Sequence, residues 1–404
     1  MLFQTLDDKS ECVGMYADGK IMFDAGDFPT DLTGSWKYTE HMKDTDGVEY
    51  ANLYVQNQTI SECAPEYLRD DWARVSSKLK AFSRACALSR VDMTGNCIYD
   101  VVPERFLADM CEVKNQITSH VLSNYEKPQR YRFLLKTCQL LESISNRRLH
   151  IDRRELEVIR QANDVPATAA LAAAAPYIRY NQFGTKTGRL TTVPSSFPIL
   201  TMKKEYRRVV LPDNDKFIEL DFNGAEARVV LGILGKTQPD YDIHQYHMDS
   251  VFPTGTTRSQ AKTAFFAWLY GAKTKEIQKY TPELEKVYDK EAILDKCWDG
   301  KQVVTEYRRR ILCPDAHHAL NYVVQATAAE LTILQALKIK HFLDSRQTKT
   351  QIACLIHDAV VLDFSNEDEK YLPEINKLMS STNFGTFKIN TSEGLNLGQL
   401  RDIK

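Results

Sequence analysis

Two apolar, β-prone runs at 352–356 and 360–362 enclose the pair His357-Asp358, and no other feature constrains the fold of this chain as much. Strand-length runs separated by so short a link close into a hairpin, so an ionisable pair is expected at the bend between strands that have to be buried. On these residues alone, a capped tight turn explains the aspartate equally well. A further apolar run, 217–220, delivers Asp221 at its end, and a helix is expected to begin near Asn223. A carboxylate there either caps the helix or binds Mg²⁺, with substrate phosphate oxygens completing the coordination shell. Aspartates on adjacent strands are able to share two Mg²⁺ ions about 3.5 to 4 Å apart, the arrangement for in-line phosphoryl transfer.

Between these strands, Arg258, Lys262, Phe266 and Tyr270 recur at intervals of four. On a helix such residues form one stripe, two cations followed by two rings, suited to a triphosphate at one end and a base at the other. An amphipathic helix with core rings and solvated cations fits the same spacing.

Composition narrows the class. The chain has 404 residues, enough for two or three units, with 43% hydrophobic and 26% charged residues. No apolar run reaches the length of a membrane span, and the first residues lack a signal-peptide pattern, so a cytoplasmic protein with no membrane partner is expected. Nine cysteines without close pairs are expected as thiols. The net charge of −2 speaks against a polyanionic partner, yet cations cluster at Arg147-Arg148, Arg153-Arg154, Lys203-Lys204 with Arg207-Arg208, and Arg308-Arg309-Arg310. Residues 1–62 read as short strands, with a hairpin across 11–23; helical periodicity follows at 64–90, 103–125 and 131–145. An alanine-rich stretch at 167–175 is a helix former or spacer.

In sequence order these segments resemble the polymerase module of family A DNA polymerases, the group that includes bacterial DNA polymerase I. Asp221-Phe-Asn-Gly-Ala-Glu226-Ala-Arg228 is similar to Asp-Tyr-Ser-Gln-Ile-Glu-Leu-Arg, and 258–271 to Arg-x-x-x-Lys-x-x-x-Phe-x-x-x-Tyr-Gly. His357-Asp358 resembles His-Asp-Glu; Thr185-Lys-Thr187-Gly-Arg189-Leu resembles Thr-x-Thr-Gly-Arg-Leu; Asp242-Ile-His244 and Asn321-x-x-x-Gln325 also have counterparts. The resemblance implies an α/β (α+β) right-hand fold, with an antiparallel-sheet palm and helical fingers. It implies template-directed DNA synthesis from dNTPs on primer-template DNA. Asp221 and Asp358, with the backbone carbonyl of Phe222, would hold two Mg²⁺ ions, for which Mn²⁺ substitutes. Arg258, Lys262 and His244 would grip the triphosphate, Lys262 as a catalytic group; Phe266 and Tyr270 would bound sugar and base. Glu226 would exclude a 2′-hydroxyl, a position where the related RNA polymerases carry a small residue. Thr187, Arg189, Asn321, Gln325 and His357 would contact the duplex.

The departures matter as well. Ala359 replaces the usual glutamate, His317 stands where many members have arginine, and Ser196-Phe-Pro-Ile-Leu replaces Asn-Leu-Gln-Asn-Ile. Arg148-Leu-His-Ile-Asp resembles the opening of the palm, and about 35 residues, instead of a long helical thumb, precede the Thr-Gly-Arg-Leu segment. The expected division is a β-containing region 1–62, a helical region 63–146, a palm start 147–230 with a minimal thumb near 153–178, fingers 231–312 and palm 313–404. Helices between 64 and 140 are an alternative source of a thumb. No exonuclease-like Asp-x-Glu strand is visible in 1–140. The expectation is a compact, phage-like enzyme of the host cytoplasm, without proofreading and served by a separate exonuclease or processivity protein. The competing reading is an inactive, DNA-binding scaffold of the same fold.

Overall fold

The computed structural model describes residues 1–8, 14–56, 58–93, 96–161, 175–272 and 274–403. The alanine-rich stretch up to 174, half of the expected minimal thumb (162–174) and the first residues of the hairpin at 11–23 lie outside the described residues. The chain forms two compact units, Met1–Arg148 and Leu149–Lys404.

In the first unit β1 (Phe3–Thr5), β2 (Met15–Ala17) and β3 (Lys20–Met22) form an antiparallel sheet, β2 and β3 joined through Asp18-Gly19 with φ of 48° and 76°. Positive φ at both central residues is the hairpin turn whose twist matches its strands. A parallel bridge from Leu2 to Gly34 brings in β4 (Gly34–Ser35), which runs parallel to β5 (Glu49–Tyr50). Three long helices follow, α1 (Glu66–Leu88), α2 (Glu104–Asn124) and α3 (Tyr131–Ser145). Pro65 and Pro103 stand at the N-caps of the first two, where a fixed φ and a missing N–H do no harm. Phe3, Leu53, Leu107, Ile117 and Leu140 are fully buried, so the strands of the first 62 residues share one core with the helices after them.

The second unit is built on a five-stranded antiparallel sheet. Its elements are, in order, β6 (Lys216–Phe222), α4 (Ala225–Ile233), α5 (Ile243–Ser250), α6 (Arg258–Leu269), α7 (Lys275–Val287) and α8 (Lys290–Cys297). A hairpin of β7 (Gln302–Val304) and β8 (Arg310–Leu312) follows, then the 31-residue α9 (Ala316–Arg346). The chain closes with β9 (Gln351–Ile356), β10 (Ala359–Phe364), α10 (Leu372–Ser380), β11 (Ile389–Gly394) and β12 (Arg401–Asp402). The strand order is β9-β10-β6-β11-β12, which puts β6 in the centre. Ile218, Leu220, Val360, Leu362 and Phe364 are fully buried, and α9, α4 and α10 pack together with the sheet. Ala319, Ala326, Ala328 and Ala336 on α9 are buried, small enough for close approach. The fold class is therefore α+β, as expected. The hairpin at 302–312 was not expected in a region read as helical.

Among the described residues no helix is long and apolar enough to cross a membrane, and the described cysteines are free thiols.

Candidate active site

The two aspartates meet because of strand register. Asp221, one residue before the end of β6, lies opposite Ala359, the first residue of β10, and β9 and β10 are joined through His357 and Asp358. His357 takes a φ of 54°, a left-handed conformation that histidine adopts more readily than most side chains, and its ring hydrogen-bonds the backbone of Leu200. On the other edge of β6, Asp221 faces Asn390 of β11, whose side chain hydrogen-bonds its carboxylate. Asn390 carried no signal in the sequence.

Both carboxyls are raised above their usual range. Burial, then Asp358, then Glu219 push the Asp221 carboxyl up to about 7, against the opposing pull of Lys262. Burial also raises Asp358, which Arg189 opposes. Like carboxylates in one low-dielectric site hold their charges only at a cost. Divalent cations relieve that cost, and two carboxylates with a nearby backbone carbonyl are hard oxygen donors of the right kind for Mg²⁺. Among the described residues no set of three or more His, Cys, Asp or Glu side chains converges on one point.

Facing the aspartates is α6, opened by a capping box in which Thr257 accepts from the Gln260 N–H and Gln260 returns the bond. Lys262 is exposed. Phe266 stacks on Tyr270, ring centroids 6.2 Å apart, and meets His244 edge-on at 6.1 Å. Tyr270 is the C-cap of the helix, and its hydroxyl bonds both Glu226 of α4 and Gln325 of α9. Arg189 pairs with Glu226 from the other side. Glu226 is 7% exposed, and burial raises its carboxyl despite both partners. Thus Glu226, Tyr270, Arg189 and Gln325, scattered over 137 positions of sequence, form one hydrogen-bonded group.

Arg258 is not free. Its guanidinium makes a two-pronged pair with Asp242, Nε to Oδ1 at 3.1 Å and Nη2 to Oδ2 at 2.6 Å. Asp242 also caps α5, accepting from the His244 and Gln245 N–H groups, and accepts from Asn223 Nδ2 at 2.8 Å. These donors hold its carboxyl well below the usual range. Asn223 in turn receives the Ile243 N–H, and Arg228, with no exposed surface, donates to the carbonyls of Asn223, Pro239 and Tyr241 at 2.7 Å each. Gly224 makes this approach possible: its φ is 69°, and a Cβ there would lie 2.4 Å from Ile243 Cγ2. The roles of Asn223, Arg228 and Asp242 were missed in the sequence, although all three lie inside the quoted motifs.

His244 is buried, its Nδ1 without a partner, and burial lowers it to about 4, so the ring is neutral. Asn321 Oδ1 is likewise buried and unpartnered, one turn of α9 before Gln325. Thr187 is 6% exposed, its hydroxyl 3.3 Å from that of Thr185, which itself donates to the Arg189 carbonyl. It is turned into the loop it was expected to offer to DNA.

No family model matches the chain. Two curated relatives, the DNA polymerase I proteins of Lactococcus lactis subsp. cremoris (strain MG1363) and Lactococcus lactis subsp. lactis (strain IL1403), are each 24% identical over 252 residues. That match spans 51% of this chain and 28% of each relative. Among solved structures, the polymerase domain of Pol1 from M. smegmatis, in complex with DNA primer-template and dNTP, superposes with a TM-score of 0.58. The match has 11% identity and covers 73% of this chain and 76% of that one. The chain has the fold of a DNA polymerase I polymerase domain. The resemblance read from the motifs and the likeness in three dimensions therefore agree.

Proposed function

We propose that this chain is a DNA-directed DNA polymerase that joins dNTPs to a primer 3′-hydroxyl on a template. The observation that carries the reading is the convergence of Asp221 and Asp358, both raised by burial, opposite a helix that carries Lys262, Phe266 and Tyr270. The similarity to DNA polymerase I supports it.

In the reaction the primer oxygen bonds to the α-phosphorus of the dNTP as the bond to pyrophosphate breaks. Two Mg²⁺ ions, held by Asp221, Asp358 and the Phe222 carbonyl, would lower the pKa of the 3′-hydroxyl and neutralise the departing pyrophosphate, and Mn²⁺ would serve in their place. Lys262 gives the triphosphate a compact cation, and Arg258 gives it a planar fork once it leaves Asp242. That exchange is cheap for Asp242, which keeps the His244 and Gln245 N–H groups and Asn223 as donors. Neutral His244 is able to donate one hydrogen bond without adding charge. Phe266 and Tyr270 offer parallel rings for base and sugar to pack on. Glu226, fixed by Tyr270 and Arg189, fills the space below the sugar and makes the site selective for deoxyribose. On the duplex side Arg189, His357, Gln325 and the unpartnered Asn321 Oδ1 supply contacts that do not depend on base sequence.

The test is primer extension by wild type and Asp358→Asn with Mg²⁺, Mn²⁺ or EDTA. Extension by wild type with either metal, lost in EDTA and in the variant, is expected. Undiminished synthesis by Asp358→Asn overturns the assignment, and tight DNA binding with no synthesis by wild type favours the scaffold reading that Ala359 and the short thumb suggest.

A further inference from the structure

We propose that α1 carries a second nucleic-acid contact, a basic face that tracks a phosphate backbone outside the active site. Residues 72–91 contain Arg74, Lys78, Lys80, Arg84 and Arg90 and no carboxylate, in a chain whose net charge is −2. None of these belongs to the four basic clusters that stand out in the sequence, because they are spaced, not adjacent.

The helix sorts them. Val75 is buried and Trp72, Leu79, Phe82 and Cys86 are half-buried on one side, where Phe82 meets Phe106 of α2 at 5.2 Å. At about 100° per residue, Arg74 and Lys78 fall in one row and Lys80 and Arg84 in another on the opposite side. Ser77 and Ala81 lie between the rows, both exposed. The result is a shallow, small-residue channel between two lines of cations. Arg74 is anchored by Asp71 and Asp109. Lys78, Lys80 and Arg84 are exposed and make no ion pair among the described residues.

Charge on a surface attracts several kinds of anion, and the rest of the face selects among them. A membrane-binding helix needs a broad apolar face in contact with lipid, whereas this one has its apolar side against α2 and exposes only two large apolar side chains, Tyr67 and Leu88, at its opposite ends. An acidic protein partner is met by aromatic and methionine anchors, and the channel is lined by serine and alanine. A phosphate chain needs neither: it needs cations at intervals and room to approach. The placement on one helix also gives the expectation of a substitute thumb between 64 and 140 a defined surface.

The test is primer-template binding by the full chain, followed by fluorescence anisotropy over a range of salt concentrations. Each phosphate contact contributes about 0.9 to the slope of log K against log salt. The triple variant Lys78→Gln, Lys80→Gln, Arg84→Gln should therefore bind more weakly, with a slope lower by about 2.7. The charge-keeping variant Lys78→Arg, Lys80→Arg, Arg84→Lys should retain the wild-type slope. Single-turnover incorporation at saturating DNA should be the same in all three. An unchanged slope in the glutamine variant overturns the proposal; so does an equal loss in the charge-keeping variant, or a loss of binding to anionic vesicles with DNA binding intact. Should the glutamine variant fail to fold, a photo-cross-linking amino acid at Ser77 reads the same contact, and absence of cross-links to bound DNA overturns it. The outcome is separate from that of the polymerase reading: a lower slope in the glutamine variant, together with no synthesis by wild type, refutes only the latter.

Discussion

Glu226 is gripped from two sides, by the Tyr270 hydroxyl and the Arg189 guanidinium, so its carboxylate is a fixed wall and not a mobile side chain. Glu226→Ala should remove that wall, and the ratio of kcat/KM for dNTP over rNTP should fall by about 10- to 200-fold, the scale of shape discrimination in a pocket. An unchanged ratio in matched primer extensions would take the sugar-selecting role away from this residue. Asp242→Ala removes both the cap of α5 and the partner of Arg258, and should lower stability to urea by about 1 kcal/mol, whereas Asp242→Asn keeps a capping oxygen and should lose less. At this scale Asp221 and Asp358 were legible because a charge that interrupts apolar runs is conspicuous. Asn390, Asn223 and Asp242 were not, since their meaning comes from strand register and from capping across a turn, which a local pattern does not encode.

The element that ties α6 to its surroundings is α5. Its His247 has no exposed surface, stacks on Phe265 at 4.5 Å and bonds the Tyr288 hydroxyl, and burial, assisted by His244, lowers it to about 3. A histidine lowered in the folded state stabilises fully above its unfolded value near 6.5, and that stability drains as pH falls toward 3. By pH 5 the loss should be about 2 kcal/mol. Urea unfolding of wild type and His247→Gln at pH 7 and pH 5 measures it as the difference between the two proteins, because His244 loses stability over the same range while the raised Asp221 carboxyl gains it in both; the change from pH 7 to pH 5 in the variant should be less destabilising by that amount. A difference as large in the variant would place the acid sensitivity elsewhere. Among elements, α3 falls at 131–145 as the periodicity of its apolar residues predicts, because a strong amphipathic stripe survives any tertiary context. The β7–β8 hairpin was hidden: its turn contains Arg308 at a φ of 66°, without the glycine or asparagine that usually betrays such a turn.

For the whole molecule, the chain matches little more than a quarter of the length of its DNA polymerase I relatives. The carboxylate set that metal-dependent proofreading needs was not found in residues 1–140 of the sequence, so the pure protein should leave a mispaired primer end in place. Shortening of an end-labelled mismatched primer with Mg²⁺ present would refute this. The division into a five-stranded sheet with its helices and a first unit was only partly legible, since strands two or three residues long, such as β4 and β5, lie below what pattern can detect. Under the polymerase reading the sheet carries a consequence for copying fidelity. Because β6 is hydrogen-bonded along both edges, Asp221 sits like a stop on a workbench: it has no freedom to follow a badly shaped base pair. Whatever tolerance such a polymerase has for wrong partners must then be a property of the helices and loops opposite, and substitutions that loosen α6 are where miscopying should begin.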